Sequence, residues 1–282
     1  MISYTEASTI AITLRATLFG IYMSTFFYCL RWLVFMDEGW TRRKDIKWGI
    51  LTVTLAIFAL LTADFGINLK GTLLSAAEGF HSWSVLSLIV ETLITIIIDS
   101  VLIYRCWIVW NKSWRIVSGL LLLLLCNIVF LAVLTYWGIL ELEAEEGLFH
   151  VEIIHLHEVS LTCTIVIDVC ATSAIIWQIQ RNGITQHLLH FATRVVAESG
   201  LSYTLTSLMF LCAISIDDAP VDLRMITQAI RYPITGITFN VILIRVAHHR
   251  ADENTRRGPS LEFITFAENN LPNDSESQSC PV

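Results

Sequence analysis

Apolar residues along this chain gather in seven long runs, at 9–36, 48–68, 84–110, 116–138, 155–179, 195–216 and 224–246, separated by shorter polar stretches. A membrane-spanning helix needs roughly 20 predominantly apolar residues, and each run supplies them. None keeps the broad polar face of a soluble amphipathic helix. The pattern predicts an all-α fold: a polytopic membrane protein with a seven-transmembrane-helix bundle over residues 1–249. Past residue 250 the pattern breaks into RRGPS and NNLPNDSESQSCPV. That composition offers too little apolar surface to bury and predicts a disordered tail over 250–282.

The charges between the runs orient the bundle, because basic residues mark the cytosolic side. Arg42, Arg43, Lys44 and Lys47 follow the first run, Lys112 and Arg115 the third, Arg181 and Arg194 the fifth, and Arg250, Arg256 and Arg257 the seventh. The alternate loops are acidic, with Glu141, Glu143, Glu145, Glu146 and Glu152 in one and Asp217, Asp218 and Asp222 in another. Lys70 and Arg224 break the pattern. The N-terminus is therefore expected outside and the C-terminus in the cytosol. The nine tryptophans agree, since all fall at run ends, where indole prefers the membrane–water interface. The start, MISYTEAST, lacks the basic stretch of a cleavable leader, so the first run is expected to insert itself.

Composition fits a membrane solvent: 55% of the 282 residues are hydrophobic and 15% charged, with a mean hydropathy of +0.64. A globular domain has about 25% charged residues. The net charge of −7 is divided among loops and points to no nucleic-acid partner. The seven cysteines spare the outer loops, so no disulfide is expected there. The partners implied are the lipid bilayer, a small-molecule or lipid ligand, and a cytosolic signalling partner. The plasma membrane is the expected site rather than an internal membrane.

Three stretches carry a resemblance. YRCWIVWNKSW follows the third run, RVVAESGLSYTLTSL opens the sixth, and ITGITFNVILIRVA ends the seventh. In these the chain resembles a large group of seven-helix membrane proteins of mushroom-forming basidiomycete fungi. That resemblance implies a fold with receptor-like topology and carries no particular activity. Seven helices so oriented are also similar to G-protein-coupled receptors, but the motifs differ. Tyr104-Arg105-Cys106 stands where an acidic-Arg-aromatic triplet would, the sixth run has no proline, and the seventh has RYPITGITFN in place of an Asn-Pro-x-x-Tyr box.

Ionisable residues inside the runs are the candidate functional sites, since a charge exposed at the bilayer centre costs about 2.5–3.5 kcal/mol or more. Ser87, Glu91, Thr95 and Asp99 recur every four residues, as do Ser160, Thr164, Asp168 and Thr172, and Thr227, Arg231 and Thr235. A four-residue step keeps neighbours on one helix face, so each series predicts a polar stripe turned to the bundle interior. Arg15, Asp64, Glu91 and Arg231 fall in the outer third, and are expected to form a ligand pocket or gate, with Glu91 and Arg231 in contact and Asp64 the rival partner. Asp99 and Asp168 fall near mid-membrane with no base at their level, and predict a proton- or cation-sensitive centre. Arg105 and Glu198 fall near the inner face as a latch between the third and sixth helices.

Other chemistries lack their residues. A retinal Schiff base needs a lysine in a run, and Lys44, Lys47, Lys70 and Lys112 all lie in or beside loops. The eight histidines lie at run ends or in loops, which disfavours haem and a membrane metal hydrolase, and HVEIIHLHE places His155 and His157 on different helix faces. No G-x-S-x-G stretch occurs. No cofactor and no enzyme activity is expected. A receptor-like sensor leads, with a lipid or small-solute translocator as the alternative; matched halves, frequent in transporters, are not evident. The orientation has a direct check. The sequon Asn273-Asp274-Ser275 should stay unglycosylated on expression in a eukaryotic host, and a glycosidase-sensitive mass shift at Asn273 would reverse the orientation.

Overall fold

The computed structural model describes residues 4–35, 48–74, 80–144, 150–181, 186–216 and 221–269; side-chain surroundings are described for a narrower set that leaves out, among others, 74–84, 141–152, 182–199 and 249 onward. The described backbone forms seven α-helices: α1 Tyr4–Val34, α2 Trp48–Leu74, α3 Phe80–Val109, α4 Trp114–Ala144, α5 His150–Arg181, α6 Gln186–Ser215 and α7 Val221–Asn269. Six are long and apolar enough to cross a membrane, and the described part of α6, Gly200–Ser215, is a shorter apolar helix. The chain is an all-helical integral membrane protein. Helices are the natural solution here, because lipid offers no partner to a backbone N–H or C=O.

The helices extend beyond the apolar runs by up to nine residues at most ends, since a helix continues until capped rather than stopping at the lipid boundary. The largest departure is at α7, whose helical backbone continues to Asn269, through the stretch expected to be disordered from 250. Its sequence suits a polar helix, with Asp252 four residues before Arg256 and Glu253 four before Arg257. Residues 270–282 of the expected tail lie outside the described residues, as does the basic stretch 42–47.

Packing closes the helices into a ring. Each touches its chain neighbour, α7 returns to pack along α1, and α3 and α2 reach across to α5 and α7. The ring is polar inside and apolar outside. On α4, Leu120, Leu124, Asn127, Leu131 and Leu134 are buried at alternating steps of four and three, while Leu122, Leu125 and Val129 on the far face are about 60% exposed. In water that outer face would be a defect. In lipid it costs nothing.

Two local features settle how the chain turns. The WNKSW segment between α3 and α4 is a Schellman turn: Lys112 N–H donates to the Trp107 carbonyl (3.0 Å) and Asn111 N–H to that of Ile108 (3.1 Å). Asn111 carries the left-handed conformation this turn requires (φ 49°), a role asparagine fills after glycine, and Lys112 follows at φ 62°. Arg224, one of two basic residues on the acidic side, donates from Nε to the Ala213 carbonyl (3.2 Å) and from Nη2 to those of Ile214 (3.4 Å) and Ile216 (3.3 Å). It caps the carbonyl end of α6, where a cation complements the helix dipole. Its place off the positive-inside pattern has this local cause.

At Gly236 the wall of α7 meets α1 and α2 without a side chain between. A Cβ there would come within 2.5 Å of Leu61 and 2.7 Å of the Tyr22 ring. Both neighbours belong to the buried cluster that includes Phe26, Ile57, Ile94 and Tyr232, so neither can step aside freely. Gly236→Ala should therefore destabilise the bundle by about 1–3 kcal/mol, the usual range for overpacking. Arg224→Gln should cost about 1 kcal/mol by losing charge-assisted bonds at the α6 end. Thermal unfolding of detergent-solubilised variants measures both.

Candidate functional site

The three stripes turn inward together. Glu91, Thr95 and Asp99 on α3, Ser160, Thr164 and Asp168 on α5, and Thr227, Arg231 and Thr235 on α7 are all buried. With Arg15 and Asp64 they place six ionisable side chains in the bundle, each 4% exposed or less. Helical phase achieves this: residues four apart drift only about 40° around the axis, so one stripe can follow one interior seam.

The upper layer is a connected network. Arg15 Nη1 stands 3.4 Å from Asp64 Oδ2, an ion pair between α1 and α2 without hydrogen-bond alignment. Asn68 Nδ2 donates to Asp64 Oδ1 (2.9 Å) and to Ser87 Oγ (3.1 Å). The Ser87 hydroxyl lies 3.5 Å from Asp64 Oδ1 and 3.4 Å from Glu91 Oε1, joining α2 to α3. Asp64 is thus the partner of Arg15 rather than of Arg231.

The expected contact between Glu91 and Arg231 is replaced by a different one. Gln228 Nε2, one turn before Arg231 on α7, donates to both carboxylate oxygens of Glu91, at 2.9 and 3.1 Å. Among the described residues no carboxylate lies within ion-pair distance of Arg231. Its guanidinium stacks over Phe210 (5.6 Å) and Tyr232 (5.2 Å), its Nη1 donates to the Tyr232 hydroxyl at 3.4 Å, and its Nε has no partner. Aromatic faces and a phenol thus take the place of the carboxylate. The amide of Gln228 reached the acid first because it stands nearer the helix start, at the level of Glu91.

Glu91 and Arg231 nevertheless border one cavity, with Thr92, Thr95, Ser160, Thr164, His157 and Tyr232 around it. It offers about 10 Å³ to a water-sized sphere, close to the least that holds one water. His157 reaches this cavity from the first turns of α5, at a run end as expected. It lies within the apolar span of α5, edge-on to Phe210 at 5.5 Å. His155 instead faces out beside Glu158 (3.3 Å), so the two histidines do diverge. The side chains of His150 and Glu152 lie outside the described ones. Among the described residues no three His, Cys, Asp or Glu side chains stand together as a metal site.

At mid-membrane the organising residue is Asn127 of α4, which the sequence reading passed over. Its Nδ2 donates to Asp99 Oδ2 (3.4 Å) and Thr164 Oγ1 (3.0 Å), and its Oδ1 accepts from Ser160 Oγ (2.8 Å). One amide so ties α3, α4 and α5. A lone asparagine inside LLLLLLCNIVFLAVL was the available signal, because an amide buried in lipid must find partners. Among the described residues, Asp99 Oδ1 and both oxygens of Asp168 have no hydrogen-bond partner.

Toward the end of α3, Arg105 turns into the bundle and lies 5.4 Å above the Phe239 ring of α7. The side chain of Glu198, its expected partner, lies outside the described ones.

No family model, curated protein or solved structure matches this chain. The site must be read from its own geometry. Replacing Asn127 with Ala removes three interhelical bonds, at about 0.6 kcal/mol each in a membrane interior, and should destabilise by about 2 kcal/mol. Asp64→Asn should be milder, because Asn68 and Ser87 still engage the amide. A larger loss for Asp64→Asn than for Asn127→Ala in denaturant unfolding would contradict this order.

Proposed function

We propose that the chain is a receptor-like seven-helix sensor of the plasma membrane, oriented with its N-terminus outside and related in kind to the basidiomycete seven-helix proteins. The observation that carries this reading is Arg231: a buried cation held by aromatic faces, without a carboxylate partner, on the helix that also contains Pro233 and Gly236. Pro233 withdraws one backbone N–H from the α7 ladder just inward of Arg231. A helix so loosened, with a charge that can exchange one set of partners for another, is a two-state element of the kind sensors use.

In this reading Glu91, Gln228, Arg231 and the Arg15–Asp64 pair form the gate. The cavity that Glu91 and Arg231 border admits a water-sized occupant, so a larger polar or lipid ligand has to part α7 from α3 and α5. The inner half works as the readout, with Arg105 over Phe239 at the α3–α7 contact and Glu198 its counterpart on α6. A lipid or small-solute translocator is the alternative, and it would need a continuous polar path where the buried cluster Ile103, Cys106, Leu124, Ile167, Ala171 and Ile175 now stands.

Reconstitution separates the two. In lipid nanodiscs the protein should accelerate nucleotide exchange on a heterotrimeric G protein, and Arg231→Met should change that rate. Absence of exchange, with transfer of fluorescent lipid or solute across proteoliposomes bearing the same protein, would overturn the sensor reading.

A further inference from the structure

We propose that the bundle takes up a proton at the Asp99–Asp168 pair, delivered from the end where α3 and α5 begin. The inference deepens the sensor reading by naming the class of its ligand.

Charge counting comes first. Asp64, Glu91, Asp99 and Asp168 put four carboxyls in the interior, against Arg15 and Arg231 in the same layers. Arg15 is engaged by Asp64 at 3.4 Å, so Arg231 alone remains for three carboxyls. Counting Arg105 as well, stacked on Phe239 further in, still leaves a negative charge over. An uncompensated ion in such a place costs several kcal/mol even after relaxation, and a proton removes the cost.

Hydrogen bonds locate the surplus. Glu91 receives two N–H···O contacts from Gln228, and Asp64 receives Asn68 and Ser87. Among the described residues Asp99 has one donor, Asn127, at 3.4 Å, and Asp168 has none. The two least solvated carboxyls are therefore the deepest pair. The groups facing them are Asn127 from α4, which is neutral, Tyr203 from α6 and Arg231 from α7, with Asp64 of α2 one layer above.

The route is one-sided. Half-buried Asn68 and Ser87 stand at the start, and the Ser87 hydroxyl links Asp64 to Glu91. Glu91 borders the water-sized cavity, whose further walls include Thr95, Ser160 and Thr164. Asp99 lies four residues past Thr95 and Asp168 four past Thr164, each one helical turn or about 6 Å deeper. Beyond them Ile103, Cys106, Ile167, Ala171 and Ile175 form one buried apolar cluster, and the hydroxyl of Thr172, one turn past Asp168, has no hydrogen-bond partner among the described residues to carry a proton on. A proton can arrive from the start of α3 and α5 and is stopped at mid-membrane. It leaves a hydronium ion, which becomes water, and bonds to a carboxylate oxygen; the interior gains one positive charge and no other bond changes.

Infrared difference spectroscopy on the full chain in proteoliposomes tests this directly. Acidifying the face where α3 begins should raise a carbonyl stretch of a protonated carboxyl. Asp168→Asn or Asp99→Asn should remove or shift it, and Asp222→Asn, outside the seam, should leave it. Acidifying only the opposite face should leave it slow or absent. The proposal falls if the wild-type protein shows no such band, if the band survives both deep substitutions, or if both faces raise it equally. Because the readout is protonation itself, it can fail while G-protein coupling stands, and the reverse.

Discussion

A carboxylate placed inside a bilayer must find a donor, a cation or a proton, and the interior of this bundle is arranged around that demand. Four acids and two arginines lie together in its upper and middle layers. Water cannot solvate them there, and four neutral neighbours donate instead: Asn68, Ser87, Asn127 and Gln228. Those of Ser87, Asn127 and Gln228 cross between helices, and so the cost of burying charge becomes the means of fixing helix rotation. A helix turned by a quarter would expose its stripe to lipid and orphan its neighbours' polar groups at the same time.

Apolar packing then closes what the polar seam leaves. α7 is the axis of this arrangement, packed on α1, α2 and α6. It brings Gly236 hard against Tyr22 and Leu61, and Arg231 between aromatic rings. The same helix is loosened by Pro233. Tight on one side and relaxed at one turn, it is suited to pivot, and the buried arginine lies at the pivot. The apolar cluster beyond the acids, with Ile103, Cys106, Ile167, Ala171 and Ile175, supplies the opposing property, tight packing of α3, α4 and α5 without charge.

The fold class and the inward stripes were legible because both follow from periodicity. Seven runs of sufficient length admit few alternatives in lipid, and a four-residue repeat of Ser, Thr and acids marks a helix face whatever the partner helices are. The partners were less legible. Matching Glu91 to Arg231 by depth placed them around one cavity, yet Gln228 holds the acid, because depth leaves open a choice among residues within one turn. Asn127 escaped notice for a related reason: a single polar residue without a repeat makes no stripe.

What the sequence by itself determined is therefore the solvent, the number of helices and the face each turns inward, since these depend on spacing along one helix at a time. The tertiary structure decided which donor meets which acceptor. It made Arg15 the partner of Asp64, gave Asn127 three contacts, set Arg105 over Phe239, and left Asp168 without a donor. Those choices depend on the rotation and height of neighbouring helices to within an ångström or two, the reach of a hydrogen bond. Periodicity along one chain segment does not contain that information, because it arises only when the seven helices settle against one another.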